Sequence, residues 1–75
     1  MKTYNWGIIG TGSIAREMAA ALTACRGTVY GVCGTSREKA ERFAAENGVL
    51  HAFADGAALL ADENVDIVYI ATPHN

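Results

Sequence analysis

Three small residues at fixed spacing, Gly10, Gly12 and Ala15, carry the chemistry that is most legible in this chain. They sit between an apolar run, Trp6 to Ile9, and the start of a helical pattern at Ser13. Each position answers a separate physical need. Gly10 permits a tight turn out of a strand, Gly12 lets the backbone approach a pyrophosphate with no Cβ in the way, and Ala15 lets helix and strand pack closely. Thr11 completes the loop. Free N–H groups of the first helical turn, at Ser13 and Ile14, then face the phosphates, and the helix dipole adds partial positive charge there. The motif recurs by chance when taken alone. After a strand, before a helix and inside a unit of this length, it reads as a dinucleotide site. The alternative is a glycine-rich turn that binds nothing.

A second constellation bears on which dinucleotide. An NAD site normally places a carboxylate about 20 residues on, at the end of the next strand, to accept hydrogen bonds from the ribose 2′-hydroxyl. No acid stands between Glu17 and Glu38, and the corresponding position is Gly34, followed by Thr35, Ser36 and Arg37. A glycine leaves room for a 2′-phosphate, two hydroxyls can donate to it, and an arginine can pair with it. This favours NADP, with NAD as the alternative, and counts against FAD and S-adenosylmethionine. On the competing reading Thr35 only caps a helix, Ser36 is a first-turn residue, and Arg37 is a solvated charge.

Ala71, Thr72, Pro73 and His74 follow the last apolar run. In a doubly wound sheet the carboxyl ends of strands line the ligand crevice, so these residues are expected near the nicotinamide half. His74 is either a polar contact or proton donor there, or simply exposed. His51 has no identifiable chemical partner and is read as structural. Tyr30 and Tyr69 lie in strand patterns and are read as core. No residue is assigned as catalytic or as a metal ligand.

The elements that position these residues follow from periodicity. Trp6–Ile9 is too short and uniformly apolar for a helix and reads as a strand covered on both faces. From Ser13 the pattern is helical, with Ile14, Met18 and Leu22 in a stripe flanked by Ala21 and Cys25, ending near Arg26-Gly27. Thr28–Cys33 is a β-branched and aromatic strand. Thr35 with Glu38 forms a capping-box pattern for a second helix that stops at Asn47-Gly48. Val49–Phe53 is a short third strand, Asp55 caps a brief helix through Leu60, and Val65–Ala71 is a fourth strand ended by Pro73. Strands alternating with helices predict an α/β fold. It is a partial Rossmann fold with a parallel four-stranded sheet in the order 3-2-1-4 and helices on both faces.

The composition agrees. Seventy-five residues that are 51% hydrophobic and 19% charged are globular and allow one small domain at most. A net charge of −2 supplies no basic stripe for a nucleic acid backbone. No apolar run approaches the ~20 residues of a membrane helix, and glycines break the amino-terminal run too early for a secretory signal. Two cysteines, Cys25 and Cys33, make neither a disulfide framework nor a metal motif, and read as buried thiols of a cytoplasmic protein.

The segments Trp6–Ala15, Arg37–Ala40 and Val65–Pro73 together resemble the start of the glucose–fructose oxidoreductase / inositol dehydrogenase (Gfo/Idh/MocA) family, nearest its NADP-using, dihydrodiol-dehydrogenase-like branch. The likeness runs over essentially the whole chain. It implies a pyridine-nucleotide-dependent oxidoreductase acting on sugars, cyclitols or related diols. It also implies a second α/β domain that mediates homo-oligomerisation, and a catalytic lysine in a Glu-Lys-Pro motif after the next strand. Residues 1–75 then correspond to the amino-terminal portion of the cofactor domain, expected to be inactive alone. Two other readings remain: a module that senses NADP(H) without chemistry, and a self-assembly through the unpaired edge of the fourth strand.

Overall fold

The computed structural model describes residues 4–25 and 27–71. The apolar run forms β1, Asn5–Ile9, and the helical pattern forms α1, Ser13–Ala24. They are followed by β2 (Thr28–Cys33), α2 (Arg37–Asn47), β3 (His51–Phe53), α3 (Gly56–Ala61) and β4 (Ile67–Ile70). The strands make one parallel sheet in the order β3-β2-β1-β4, as the alternation requires.

Register decides where the functional loops emerge. Ile9 stands opposite Cys33 of β2 and Ile70 of β4. The carboxyl ends of these three strands therefore lie level, and the loops that follow them open onto one edge of the sheet. Backbone bonds lock this edge: the Gly10 N–H donates to the Cys33 carbonyl at 2.7 Å, and the Ala71 N–H to the Ile9 carbonyl at 2.8 Å. The opposite edge is held by side chains. The Asn5 backbone N–H donates to an Asp66 carboxylate oxygen at 2.8 Å, the Asn5 side-chain amide to the Asn64 carbonyl at 2.9 Å, and the Tyr30 hydroxyl to Asp62 at 3.1 Å.

A β-bulge between the pairs Trp6–Val29 and Gly7–Gly31 leaves Tyr30 as the extra residue of β2. A strict two-residue period would put Val29 and Val32 on opposite faces, whereas the bulge lets both join one core. That core contains Ile8, Ala15, Ala19, Leu22, Val29, Val32, Ala40 and Phe43, so α1 and α2 share a face. Tyr30 is half-buried with a polar hydroxyl contact rather than fully core, and Tyr69 packs partly buried against the cluster. On the other face α3 buries Leu59 completely, above Gly7.

Four local expectations are corrected. The buried stripe of α1 is Ala15, Ala19 and Leu22, while Ile14 is 51% exposed and Ala21 and Cys25 are exposed. Small Ala15 brings the helix close to the sheet, which turns Ile14 toward the loop edge. Cys25 is thus a free exposed thiol, and only Cys33 is buried. The N-cap of α2 is Ser36, whose hydroxyl accepts from the Lys39 N–H at 3.2 Å, so Thr35 and Glu38 form no capping box. The third and fourth strands are shorter than the apolar runs. Val49 is tied back to the α2 carboxyl end by its N–H bond to the Ala44 carbonyl, and Val65 to the Asp62 turn. The stop at Gly48 is as expected, with φ 69.

Among the described residues no helix is long and apolar enough to cross a membrane. None of their His, Cys, Asp and Glu side chains cluster so as to hold a metal ion.

Candidate cofactor site

The loop after β1 is shaped by two glycines under opposite constraints. Gly10 has φ +129, a conformation L side chains rarely adopt, and a Cβ there would lie 2.7 Å from the Ala71 carbonyl oxygen. Only glycine fits between β1 and the end of β4. Gly12 has ordinary extended backbone (φ −82, ψ −167), and a Cβ there would meet nothing within 4 Å. Its bare face therefore looks into open space rather than into protein.

Gly12 is also the N-cap of α1 and supplies no side-chain cap. The other two helices are capped, by Ser36 and by Asp55, whose carboxylate accepts from the Ala58 N–H at 2.8 Å. A helix opening without a cap leaves its first N–H groups to solvent or to a ligand. Among α1 residues these belong to Ser13, Ile14 and Ala15, since the Arg16 N–H is the first to find an acceptor, the Gly12 carbonyl.

Thr11 bridges to the second loop. A Cβ at Gly34 would lie 2.7 Å from the Thr11 Cγ2 methyl. The space expected beside Gly34 is thus occupied from across the cleft by Thr11, and any side chain at position 34 must displace it. A cleft of about 310 Å³ runs between the loops, lined by Ile9, Gly10, Thr11, Gly12, Gly34, Thr35, Lys39 and Ala71. Among the described residues no carboxylate lines it. A shallower recess of about 200 Å³ continues from it, lined by Gly12, Ser13, Ile14 and Ala71.

These cavities bring together most of the residues expected from sequence: Gly10, Thr11, Gly12, Ser13, Ile14, Gly34, Thr35 and Ala71. Ser36 is engaged in the α2 cap. Arg37 lines neither cavity, and its guanidinium Nε lies 3.3 Å from Glu41 Oε2 on the helix surface. Thr72, Pro73 and His74 lie outside the described residues. His51 is exposed and packs its ring against Tyr30 at a tilt of 56°, centroids 4.7 Å apart, as a structural contact.

Lys39 is the cleft residue that motif reading missed. A signal for it existed. Helical side chains lean toward the amino terminus, so a lysine in the first turn of α2 reaches back over the loop before it. Cys33, at the floor of the same edge, has its thiol pKa raised by burial and secondarily by the Asp55 charge, which keeps it protonated and inert.

The comparisons with known proteins agree with this geometry. Residues 4–75 match the family model described as the GFO_IDH_MocA oxidoreductase family, NAD-binding Rossmann fold, and the chain belongs to that family. It is 38% identical over 68 residues to a 1,5-anhydro-D-fructose reductase of Ensifer adhaerens, covering 89% of this chain and 20% of the relative. It is also 38% identical over 87 residues to a D-xylose 1-dehydrogenase (NADP(+)) of Hypocrea jecorina, covering 97% and 22%. Among solved structures, an NAD binding oxidoreductase from Klebsiella pneumoniae superposes with a TM-score of 0.90 at 30% identity, over 95% of this chain and 21% of that one. The chain thus spans about a fifth of the length of the relatives it matches.

Proposed function

We propose that residues 1–75 are the amino-terminal portion of the dinucleotide-binding domain of an NADP-dependent oxidoreductase. Its substrate class is a sugar, cyclitol or related diol, oxidised or reduced at a CH–OH carbon. The observation that carries the reading is the pairing of Gly12 with the uncapped opening of α1. A Cβ-free backbone faces an open cleft where helix N–H groups have no side-chain partner. A diphosphate suits both features, because it needs close backbone approach and several N–H donors.

On this reading Gly10 and Gly12 shape the cradle, and the Ser13 and Ile14 N–H groups donate to the diphosphate. Thr35 and Lys39 meet the adenosine ribose, and Ser36 and Arg37 flank it on α2. Ala71, at the end of β4, stands toward the nicotinamide, with exposed Ile14 shielding that end from water. The bound dinucleotide supplies a carbon that accepts or gives a hydride. Preference for NADP is supported by the Lys39 ammonium on the cleft wall and by the lack of a lining carboxylate among the described residues. The sugar- and pentose-active relatives, one of them named for NADP(+), support the substrate class. The remainder of such a protein carries the proton-transfer group and the contacts between subunits, and the reducing cytoplasm is its compartment.

Equilibrium titration of the full chain with NADPH and NADH tests this. Tighter NADPH binding is expected. Equal or tighter NADH binding removes the 2′-phosphate pocket, and failure to bind either removes the dinucleotide site.

A further inference from the structure

A second recess, of about 320 Å³, lies between α1 and α2 and is lined by Thr11, Arg16, Lys39, Arg42, Phe43 and Glu46. Its charge is at odds with the chain as a whole. The molecule carries −2, yet three of its six lysines and arginines line this one recess, against a single carboxylate. Among the described residues neither Arg16 nor Lys39 forms an ion pair. Arg42 makes one loose contact, 3.6 Å to the exposed Glu38, which leaves most of its five donors free. Three like charges converging on one concavity repel each other, and an anion between them removes that cost. The recess is continuous with the cofactor cleft, because Thr11 and Lys39 line both.

We infer that this recess receives the phosphate on the adenosine ribose of NADP, with Arg16 of α1 and Arg42 of α2 as specificity-determining residues. The inference rests on the dinucleotide reading above and extends it to two residues outside the cleft. A phosphate monoester brings about −1.5 to −2 charges and three acceptor oxygens, which suits guanidinium forks on two sides better than it suits one. It also assigns the discrimination to side chains that rise from both helices, whereas Arg37 lines neither the cleft nor this recess.

The test compares Kd for NADPH and NADH in the full chain and in the Arg16→Gln/Arg42→Gln double variant, with Glu17→Gln as a control for surface charge on α1. The double variant is expected to lower the NADPH-over-NADH preference about tenfold, the scale of two solvent-exposed charge contacts. Glu17→Gln should leave the preference in place. Retained NADH binding reports that the double variant is folded. An unchanged preference in the double variant overturns the assignment of the recess while leaving the dinucleotide site standing. Wild-type protein that binds neither dinucleotide instead removes the reading on which it rests. Inorganic phosphate should weaken NADPH binding more than NADH binding, because at this recess it competes with NADPH alone. Phosphate that binds without displacing NADPH would show a separate anion site and overturn the inference.

Discussion

Gly10 and Gly12 are two residues apart in one loop, and replacing each with alanine should produce opposite failures. At Gly10 the methyl group meets two penalties. The backbone sits at φ +129, where a non-glycine residue costs roughly 1–3 kcal/mol. The new Cβ also lies 2.7 Å from the Ala71 carbonyl oxygen, a backbone atom that can yield only if β4 shifts against β1. Together these should lower unfolding free energy by about 2–4 kcal/mol, the range of strained or overpacked sites. At Gly12 the backbone is extended and a Cβ finds open space. Replacing an N-cap glycine with alanine changes stability by under about 1 kcal/mol, since the weaker cap is offset by a stiffer unfolded chain. Yet that methyl stands where the diphosphate should approach, and NADPH affinity should drop at least tenfold, about 1.4 kcal/mol. Urea denaturation reads the first effect and fluorescence titration with NADPH the second. A Gly12→Ala protein that binds NADPH as tightly as wild type, or a Gly10→Ala protein of wild-type stability, would refute the assignment of these glycines.

Two further outcomes follow from contacts in the same region. Gly34→Ala should destabilise the protein because its Cβ falls 2.7 Å from the Thr11 methyl, and Thr11→Ser, which removes that methyl, should recover much of the loss. A double-mutant cycle by denaturation should give a coupling above about 0.5 kcal/mol, and strict additivity would mean that the two loops do not touch. The thiols should differ as well: at pH 8 iodoacetamide should modify exposed Cys25 in the native protein and leave buried Cys33 untouched, as read by peptide mass. Because the folded-state pKa of Cys33 is raised, the native protein holds that proton after the unfolded chain has released it. Its contribution is intact below the ordinary thiol pKa and fades as pH rises through and above it. Stability of the wild type should therefore fall more steeply than that of Cys33→Ala in this alkaline window.

The chain order and the glycine motif were legible in the sequence because they depend on local periodicity and on residues that only one backbone geometry accepts. Gly10, Gly12 and Gly48 are of this kind. What was not legible depends on neighbours distant in sequence. The bulge at Tyr30 lets Val29 and Val32 share a face, and nothing within TVYGVC announces it. The helical wheel allowed α1 to bury either Ile14 or Ala15. Close packing against the sheet selected the smaller residue and left Ile14 at the cleft. Thr35 and Ser36 are both good caps, and the choice fell to Ser36 once Thr35 lined the cleft. Lys39 and Arg16 belong to different helices, and only the fold, by setting α1 beside α2, brings them to one recess.

The central claim is that backbone N–H groups at the opening of α1 hold the dinucleotide, and amide chemical shifts during the NADPH titration measure this directly. Large shifts are expected at Gly12, Ser13, Ile14 and Thr35, with Asn5, Asn64 and Asp66 at the far edge of the sheet unmoved. Saturable binding that leaves Gly12, Ser13 and Ile14 unperturbed would contradict it.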